Sequence, residues 1–485
     1  MFSKKFISKC YNNLDSNKIF YRYFEEQKKY RDLKIFFQKF KSIVKKERLK
    51  IVTFSDKSFE MYASIASIFF SNNIWIPLSL NVPLDRLKKI LAISKPHLII
   101  TADNFTYLSN KKFKIFCKKN NIKVIQYKTI NNSIAQKKFF FPQIDFKKLS
   151  MIFFTSGSTG DPKGVCITYK NFITCFKSKE KILYNNDKNL VFGDYHDPSF
   201  VISLVIFFPC LYLGGTISPS RNMFETLNPV RHLFDNRINT LITVPSTIVR
   251  IKENKIIGKY FKFVNKIIMC GEPFRLSLAS FIFKKIKPKE LFNFYGSTEV
   301  GPWIFYHKLK FGDVKKYSNF DFVPVGKPLN NVEIKILKKE LFVAGPMVSP
   351  GYLQKKQNKN IFLKKGKKLW YRTKDQITLY KNKYFIKGRI DKMVKIQGYR
   401  VDIGDIESNI RKIKKIDDVV VYLKEGKSKK FLSCAIKTSK KIDKIEIIKK
   451  ISKKVPNYMI PQKIYLYKNF PMNRSGKIDR KKIMI

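Results

Sequence analysis

Residues 155–164 read TSGSTGDPKG, and they directly follow an apolar run from Met151 to Phe154. Glycines let backbone N–H groups approach an anion closely, hydroxyl groups add donors, and Lys163 adds positive charge. The stretch therefore predicts a polyphosphate-binding loop at the end of a strand. It is not a Walker A loop, because Gly164 follows Lys163 where that motif has Ser or Thr. A flexible Ser/Gly surface loop is the alternative for this stretch taken alone.

Further motifs follow at long separations along the chain. In chain order they are IPL at 76–78 with PLDR at 83–86, NFYGSTE at 293–299, YRTKD at 371–375, GRID at 388–391, KIQGYR at 395–400, GDIE at 404–407 and RSGKIDR at 474–480. Their order and spacing resemble the adenylate-forming (AMP-binding) superfamily, which includes acyl-CoA synthetases, luciferases and the adenylation domains of nonribosomal peptide synthetases. The resemblance extends from about residue 48 to the end of the sequence.

The resemblance implies ATP as a substrate, Mg²⁺ as its partner ion, and roles for individual residues. It implies that Lys477 contacts the carboxylate and the α-phosphate, that Thr298 contacts the α-phosphate, and that Glu299 holds the metal. A carboxylate and a hydroxyl group suit a hard cation and an anionic oxygen. Alternatively, Ser297 or Thr298 caps a helix, and Lys477 is one more lysine of a lysine-rich tail. The implied ATP-binding residues are Thr155, Ser156, Gly157, Ser158, Thr159, Gly160, Lys163, Gly271, Glu272, Asn293, Tyr295, Gly296, Ser297, Asp375 and Arg389.

Asp375 resembles the ribose-binding carboxylate of the family, and an ionised carboxylate can accept hydrogen bonds from both ribose hydroxyls. The family usually has glycine where this chain has Lys374, which predicts a different local turn. Arg389 matches a nucleotide contact, and Asp391 matches the hinge about which a small domain turns between two half-reactions. A surface ion pair is the alternative for Arg389 and Asp391. Gly398 matches the tunnel that admits the thiol.

The activated acid is less well defined by the sequence. The segments around Phe200, Val244 and Cys270 resemble the amino-acid-activating branch, including D-alanyl carrier protein ligases. That branch usually has Asp at the position of Val201, and valine cannot pair with a substrate ammonium group. A bulky Phe294 predicts a short pocket, so we expect a small acid, either an amino acid or a simple or hydroxylated carboxylic acid. The implied acyl-pocket residues are Val201, Ile202, Val205, Cys270 and Phe294.

The periodicity of apolar residues predicts an α/β fold with a large N-terminal lobe of layered sheets and a small mobile α+β C-terminal domain. We predict an adenylation domain over residues 1–388, a hinge at 389–391 and a lid domain over 392–485. Strands are expected near 241–244, 267–270, 290–293, 419–423 and 431–436, and a late helix carries Ile445, Ile448 and Ile451. The uncharged stretches 61–84 and 198–220 are predicted to be buried helix-then-strand units, because Pro, Asn and Gly interrupt them as membrane spans.

The formal net charge of +62 is the most unusual feature of the composition. Because the lysines are spread along the chain with abundant Ile, Asn and Phe, a genome-wide bias explains them better than a docking surface. A nucleic-acid-binding protein is the alternative from charge alone, and no zinc spacing or helix-turn-helix pattern supports it. The seven scattered cysteines, without a CxxC pair, favour a reduced protein in the cytoplasm. The four histidines are dispersed and offer no metal-ligand spacing, so Glu299 is the metal ligand that we predict.

The co-occurrence of the phosphate loop with Glu299, Asp375, Arg389 and Lys477 disfavours a catalytically dead scaffold of the same fold. No carrier domain follows Lys477 in the sequence, so the thiol is expected from a separate partner. That partner is either the phosphopantetheine of a carrier protein or coenzyme A. An acidic carrier would suit a basic chain electrostatically.

Overall fold

The computed structural model describes residues 2–54, 56–136, 142–156, 161–184, 187–254, 257–391, 393–396, 398–426, 430–440, 442–471, 478 and 480–484. The chain divides into two compact units. The larger comprises Met1–Leu80, Ser94–Phe154 and Gly164–Ile390, and the smaller comprises Asn81–Ile93, Thr155–Lys163 and Asp391–Ile485. A hinge is defined by a movement of one domain against another, so the hinge at residues 389–391 stays a prediction.

Two large sheets, whose inner strands are mostly parallel, form the centre of the larger unit. Within the described residues, one sheet has nine strands in the spatial order Lys327–Pro328, Phe305–Leu309, Glu290–Tyr295, Lys266–Met269, Thr240–Thr243, Val191–Asp194, Thr216–Pro219, Ile19–Tyr23 and Glu26–Lys29. The other has seven, in the order Gly351–Tyr352, Lys163–Thr168, Leu149–Thr155, Ile74–Leu78, Lys50–Phe54, Leu98–Thr101 and Lys123–Gln126.

A third sheet of the larger unit is antiparallel. Its described strands are Glu333–Leu337, Glu340–Ala344, Phe362–Lys365, the long strand Lys368–Tyr380, and Lys383–Arg389. Lys368–Tyr380 pairs with Lys383–Arg389 so that Asp375 and Arg389 are cross-strand partners. This register brings two motifs of the sequence together.

Helices cover the sheets of the larger unit, and two of them explain the uncharged stretches of the sequence. Phe59–Phe70 is followed by the strand Ile74–Leu78, and Leu204–Leu213 by Thr216–Pro219, which confirms the predicted helix-then-strand units. Nearly every residue of both helices is buried, so neither needs a polar face. Among the described helices, none combines the length and apolar character needed to cross a bilayer. The other helices are Phe2–Leu14, Tyr30–Ile43, Lys111–Lys119, Tyr127–Asn131, Tyr169–Tyr184, Met223–Leu227, Val230–Asp235, Pro245–Glu253, Leu276–Phe281 and Asp313–Lys316.

The smaller unit is α+β. Its described strands are the pair Met393–Ile396 and Tyr399–Asp402, and the three-stranded sheet Asp418–Glu425, Lys430–Lys437 and Lys463–Tyr467. Its helices are Leu84–Ser94, Ile403–Arg411, Lys444–Ser452 and Arg480–Ile483. Ser94, the last residue of the first of these helices, belongs to the larger unit.

The prediction for the helix Lys444–Ser452 was correct in its position and wrong in its buried face. Ile445 and Ile448 are 71% and 39% exposed, whereas Ile447 and Ile451 are buried. Residues four apart lie on one face of a helix, and the pair Ile447 and Ile451 forms the face that packs in the core.

Candidate active site

The carboxyl ends of parallel strands bring many of the predicted site residues to one edge of the nine-stranded sheet. Thr243 pairs with Met269, and Met269 pairs with Asn293. The segments that follow these residues therefore leave the sheet at the same edge, where ligands bind in open α/β sheets. The predicted residues at this edge are Cys270, Gly271, Glu272, Asn293, Phe294, Tyr295, Gly296, Ser297, Thr298 and Glu299.

Gly271 and Glu272 turn the chain away from the sheet, and Glu272 contacts the preceding helix, Pro245–Glu253. Gly271 has a φ of 80°, a conformation that favours glycine. The Glu272 carboxylate accepts hydrogen bonds from the Ser246 backbone N–H at 2.9 Å and from the Ser246 hydroxyl at 3.1 Å. Glu272 thus satisfies a donor in the first turn of the helix Pro245–Glu253. The ATP-binding role predicted for Glu272 is additional to this structural one.

The turn after Tyr295 is tight, and it leaves one hydroxyl available. A Cβ atom added at Gly296 would lie 2.4 Å from the Pro302 carbonyl oxygen, so no side chain fits there. Ser297 makes no side-chain cap to the short turn Thr298–Val300. Its hydroxyl oxygen is buried and makes no hydrogen bond to any described residue. A buried unsatisfied hydroxyl is costly, which fits a group that binds a ligand oxygen.

Glu299 and Asn293 are both buried. Glu299 is 1% exposed, and one of its oxygens accepts a hydrogen bond from the Tyr352 hydroxyl at 3.0 Å. Asn293 donates through its side-chain amide to the Pro324 carbonyl oxygen at 3.0 Å. The tyrosine thus holds the carboxylate in place, whereas Asn293 ties its strand to a neighbouring loop. The sequence motifs did not identify Tyr352.

Asp375 is the centre of a buried polar cluster. Arg389 Nη1 donates to Asp375 Oδ1 at 2.7 Å, and the Tyr295 hydroxyl donates to Asp375 Oδ2. Burial, with a further contribution from Asp375, raises the pKa of Tyr295 well above its usual value, so Tyr295 stays a donor. An ionised carboxylate has about four lone-pair sites, so further donors can bind it. The structure pairs Arg389 with Asp375, and the two side chains are 15% and 9% exposed.

Lys374 adopts the backbone conformation that glycine favours. Its φ is 61°, and its carbonyl oxygen accepts a hydrogen bond from the Ile390 N–H at 2.9 Å. The chain therefore keeps a left-handed turn at this position despite the lysine, at a cost of roughly 1 kcal/mol relative to glycine. Whether this turn differs from that of the family stays a prediction.

The five predicted acyl-pocket residues belong to one hydrophobic cluster. Val205, Cys270 and Phe294 are buried, and Val201 and Ile202 are partly buried against them. The Phe294 ring stacks on Trp303, with centroids 4.5 Å apart and an interplanar angle of 30°. Trp303 was missed by sequence analysis, although it is one of only three tryptophans and lies four residues after Glu299.

The predicted residues of the smaller unit have structural partners of their own. The Ser156 hydroxyl donates to the Arg400 carbonyl oxygen at 3.0 Å and accepts from the Asp402 N–H at 3.2 Å. Asp402 caps the helix Ile403–Arg411. Burial raises the pKa of the Asp402 carboxyl above its usual value, although nearby Lys163 partly opposes that effect. Asp391 accepts from the Met393 N–H at 3.3 Å.

The remaining predicted residues are described by their backbone alone or lie outside the described residues. Gly398 is described by its backbone, whose φ of 82° suits glycine. Thr155 ends the strand Leu149–Thr155. Gly157, Ser158, Thr159, Gly160 and Lys477 lie outside the described residues.

The sequence and the fold are similar to those of known proteins. The model of the family described as AMP-binding enzyme matches residues 40–353. D-alanine–D-alanyl carrier protein ligase from Lactococcus lactis subsp. lactis (strain IL1403) is 28% identical over 461 residues, covering 89% of this chain and 88% of that protein. The protein of the same name from Staphylococcus aureus (strain bovine RF122 / ET3-1) is 26% identical over 422 residues, covering 84% of each.

A solved structure of o-succinylbenzoate CoA synthetase from Bacillus subtilis is similar in fold. It superposes with a TM-score of 0.83 at 18% identity, covering 98% of this chain and 97% of that chain. This likeness confirms the predicted α/β fold with a large N-terminal lobe.

Proposed function

Since this chain belongs to the AMP-binding enzyme family, we propose that it is an ATP-dependent ligase that adenylates a small carboxylic acid, with D-alanine as the first candidate. The acyl group then passes to the phosphopantetheine thiol of a carrier protein. The observation that carries this proposal is the similarity to D-alanyl carrier protein ligases along most of both chains. Val201 favours a second candidate, a synthetase that uses coenzyme A and an acid without an amine, because no carboxylate stands there for an ammonium group.

The reaction has two halves. In the first, a carboxylate oxygen of the acid attacks the α-phosphorus of ATP, the bond to the bridging oxygen breaks, and pyrophosphate leaves. In the second, a thiolate attacks the acyl carbon, and AMP leaves with the oxygen that joined it to the acid. Negative charge accumulates at phosphorus in the first step, so the site needs cations and aligned donors more than an acid–base pair.

The residues of the larger unit support the binding of ATP. The Asp375 carboxylate, held by Arg389 and Tyr295, would accept hydrogen bonds from the ribose hydroxyls. The unsatisfied Ser297 hydroxyl and that of Thr298 would donate to phosphate oxygens. Lys477 would add the positive charge at the α-phosphate, as the resemblance implies. These roles rest on chemistry and motif position.

The buried Glu299 carboxylate fits Mg²⁺ bound to ATP. Mg²⁺ is usually held by one or two carboxylates together with substrate phosphates and water. Within the described part of the chain, no group of three or more His, Cys, Asp and Glu side chains could hold a metal alone. When bound, Mg²⁺ would neutralise phosphate charge, and Tyr352 would keep Glu299 oriented towards it.

The carrier protein is proposed as a separate partner in the cytoplasm. Carrier proteins with acidic surfaces would be attracted by a chain of formal net charge +62. That attraction is screened by salt, because the Debye length is only about 8 Å at physiological ionic strength. Carrier loading should therefore slow as salt rises, and it should slow more than adenylation, because two large charged surfaces must meet.

The first test is acid-dependent exchange of pyrophosphate into ATP by the purified protein with Mg²⁺. The panel contains D-alanine, L-alanine, glycine, serine, short fatty acids, short dicarboxylic acids, hydroxy acids and aryl acids. Exchange with D-alanine, followed by a matching mass increase on phosphopantetheinylated carrier protein, is expected. Exchange only with acids that lack an amine would favour the second candidate. The absence of exchange across the panel would contradict both candidates.

Lys477→Ala separates the two half-reactions. We expect the variant to lose adenylation and to keep most of its thioester formation from supplied acyl-adenylate. Lys468→Ala, another lysine of the C-terminal region, is the control and should keep both activities. Equal loss of both half-reactions in Lys477→Ala would contradict the role proposed for Lys477.

A further inference from the structure

Three described lysines of the larger unit are buried, Lys57, Lys179 and Lys266, and Lys179 is the most deeply buried of them. Lys179, on the helix Tyr169–Tyr184, is 2% exposed. Its Nζ lies 3.4 Å from Cys175 Sγ and 4.8 Å from the centroid of the Trp303 ring. Among the described residues, no carboxylate lies within ion-pair distance of Lys179, whereas Lys266 pairs with Asp187 and Glu290. Lys181, another lysine on the same helix, is exposed.

This position is unfavourable for an amine that has no function. Burial lowers the pKa of Lys179, and the Cys175 and Cys270 thiols only partly oppose that effect. A thiol and the face of an indole ring are weak partners for an ammonium group compared with a carboxylate. A methionine or leucine would fill the same volume without the desolvation cost.

Lys179 lies beside the residues assigned to the acyl pocket. Trp303, under its ammonium group, stacks on Phe294. Phe294, Trp303, Cys270 and Val205 share one hydrophobic cluster. The Lys179 amine therefore lies next to this cluster of apolar and aromatic side chains.

The charged groups around this cluster do not suit a substrate that carries an ammonium group. Val201 provides no anion, whereas Lys179 provides a cation that lacks an anionic partner among the described residues. We propose that Lys179 is a specificity-determining residue that binds a second carboxylate of the substrate, so short dicarboxylic acids, with or without an amine, are better substrates than D-alanine and other matched monocarboxylic acids. This inference rests on the proposed function, since it requires that the cluster holds the acid. The distal carboxylate stays intact while the other one is adenylated.

Matched pairs of acids test this assignment. Succinate, malonate and aspartate are compared with butyrate, propionate and alanine in pyrophosphate exchange and in calorimetric binding. For the wild-type protein we expect a kcat/KM for the dicarboxylic acids at least about tenfold above that for the matched monocarboxylic acids. Lys179→Met should lower the dicarboxylic values by roughly 10- to 100-fold, the range of a charge-assisted hydrogen bond, and leave the monocarboxylic values unchanged or raised. Lys181→Met removes an exposed lysine of the same helix and should change neither.

The outcomes separate this inference from the proposed function. Exchange with alanine or propionate but not with dicarboxylic acids would leave the ligase function standing and overturn the role of Lys179. Equal loss for all acids in Lys179→Met would also overturn it, because it would show a purely structural lysine. If no acid supports exchange, the ligase function fails, and calorimetry decides the inference. Binding of succinate that Lys179→Met abolishes would support it, and the absence of binding would overturn it. Near-ultraviolet circular dichroism checks that Lys179→Met is folded.

Discussion

Arg86 and Asp405 form a buried ion pair within the smaller unit. Arg86 Nη1 lies 3.3 Å from Asp405 Oδ2, and the two side chains are 9% and 0% exposed. Asn409 donates a hydrogen bond to the other oxygen of Asp405 at 2.8 Å. Burial raises the pKa of the Asp405 carboxyl, and Arg86 opposes that effect. The pair joins the PLDR and GDIE motifs, so these motifs have a structural function that their spacing did not indicate.

Arg86→Met should lower the free energy of unfolding by about 3–5 kcal/mol, because it leaves the Asp405 carboxylate buried without its cation. The double variant Arg86→Met/Asp405→Leu should recover most of that loss. Chemical denaturation followed by circular dichroism measures both. Lys89→Met is the control, because Lys89 forms an exposed pair with Asp161 and should contribute less than about 1 kcal/mol. A loss in Arg86→Met as small as in the control would contradict the assignment.

Sequence patterns predicted the fold well where buried strands are short apolar runs. The strands Thr240–Thr243, Lys266–Met269 and Asp418–Glu425 lie within a few residues of their expected positions. The buried face of Lys444–Ser452 could not be predicted, because isoleucines at 445, 447, 448 and 451 offer two overlapping apolar stripes. Only tertiary packing selects one of them.

Sequence motifs identified candidate residues of the site but not their partners. Tyr352 and Trp303 contact Glu299 and Phe294, yet they belong to no motif, and chain folding brings Tyr352 next to Glu299 from 53 positions away. The left-handed backbone at Lys374 is likewise not evident from a lysine in the sequence. A left-handed residue costs only about 1 kcal/mol, and the surrounding strand pairing can outweigh it.

Asp375→Asn should raise the KM for ATP by roughly 10- to 100-fold and leave the KM for the acid nearly unchanged. The substitution removes the charge that Arg389 and Tyr295 hold in place, and charge-assisted hydrogen bonds contribute about 1.5–3 kcal/mol. Initial rates of pyrophosphate exchange at varied ATP and varied acid measure both constants. Asp235→Asn, at an exposed pair with Arg231, is the matched control. A rise confined to the KM for the acid would contradict the placement of Asp375 at the ribose.

Phe294→Ala should broaden the substrate range to longer acids. Phe294 is 2% exposed and stacks on Trp303, so its removal opens space that neighbouring rings cannot fill completely. The variant should also lose about 3–5 kcal/mol of stability, which thermal unfolding will show. The chain-length profile of exchange, normalised to the best substrate of each protein, measures the change. An unchanged profile in a folded variant would place Phe294 outside the acyl pocket.

Acidification should destabilise the protein between about pH 6.5 and pH 4. Burial lowers the pKa values of His196, His232 and His307 to about 4 from the ordinary 6.5. In this interval the unfolded chain binds more protons than the folded one, so the free energy of unfolding falls as pH falls. Each histidine accounts for roughly 3 kcal/mol across the full interval.

His232→Gln should flatten this dependence, because glutamine does not titrate. His232 is 2% exposed, and its Nδ1 lies 2.7 Å from the Tyr195 hydroxyl, which glutamine can still hydrogen-bond. Denaturation midpoints measured from pH 7 to pH 4.5 give the slope for both proteins. His97→Gln is the control, since that change removes a histidine outside the buried set. If His232→Gln and wild type share one slope, the pKa of His232 does not differ between the folded and unfolded chains, and its burial does not cause the acid destabilisation.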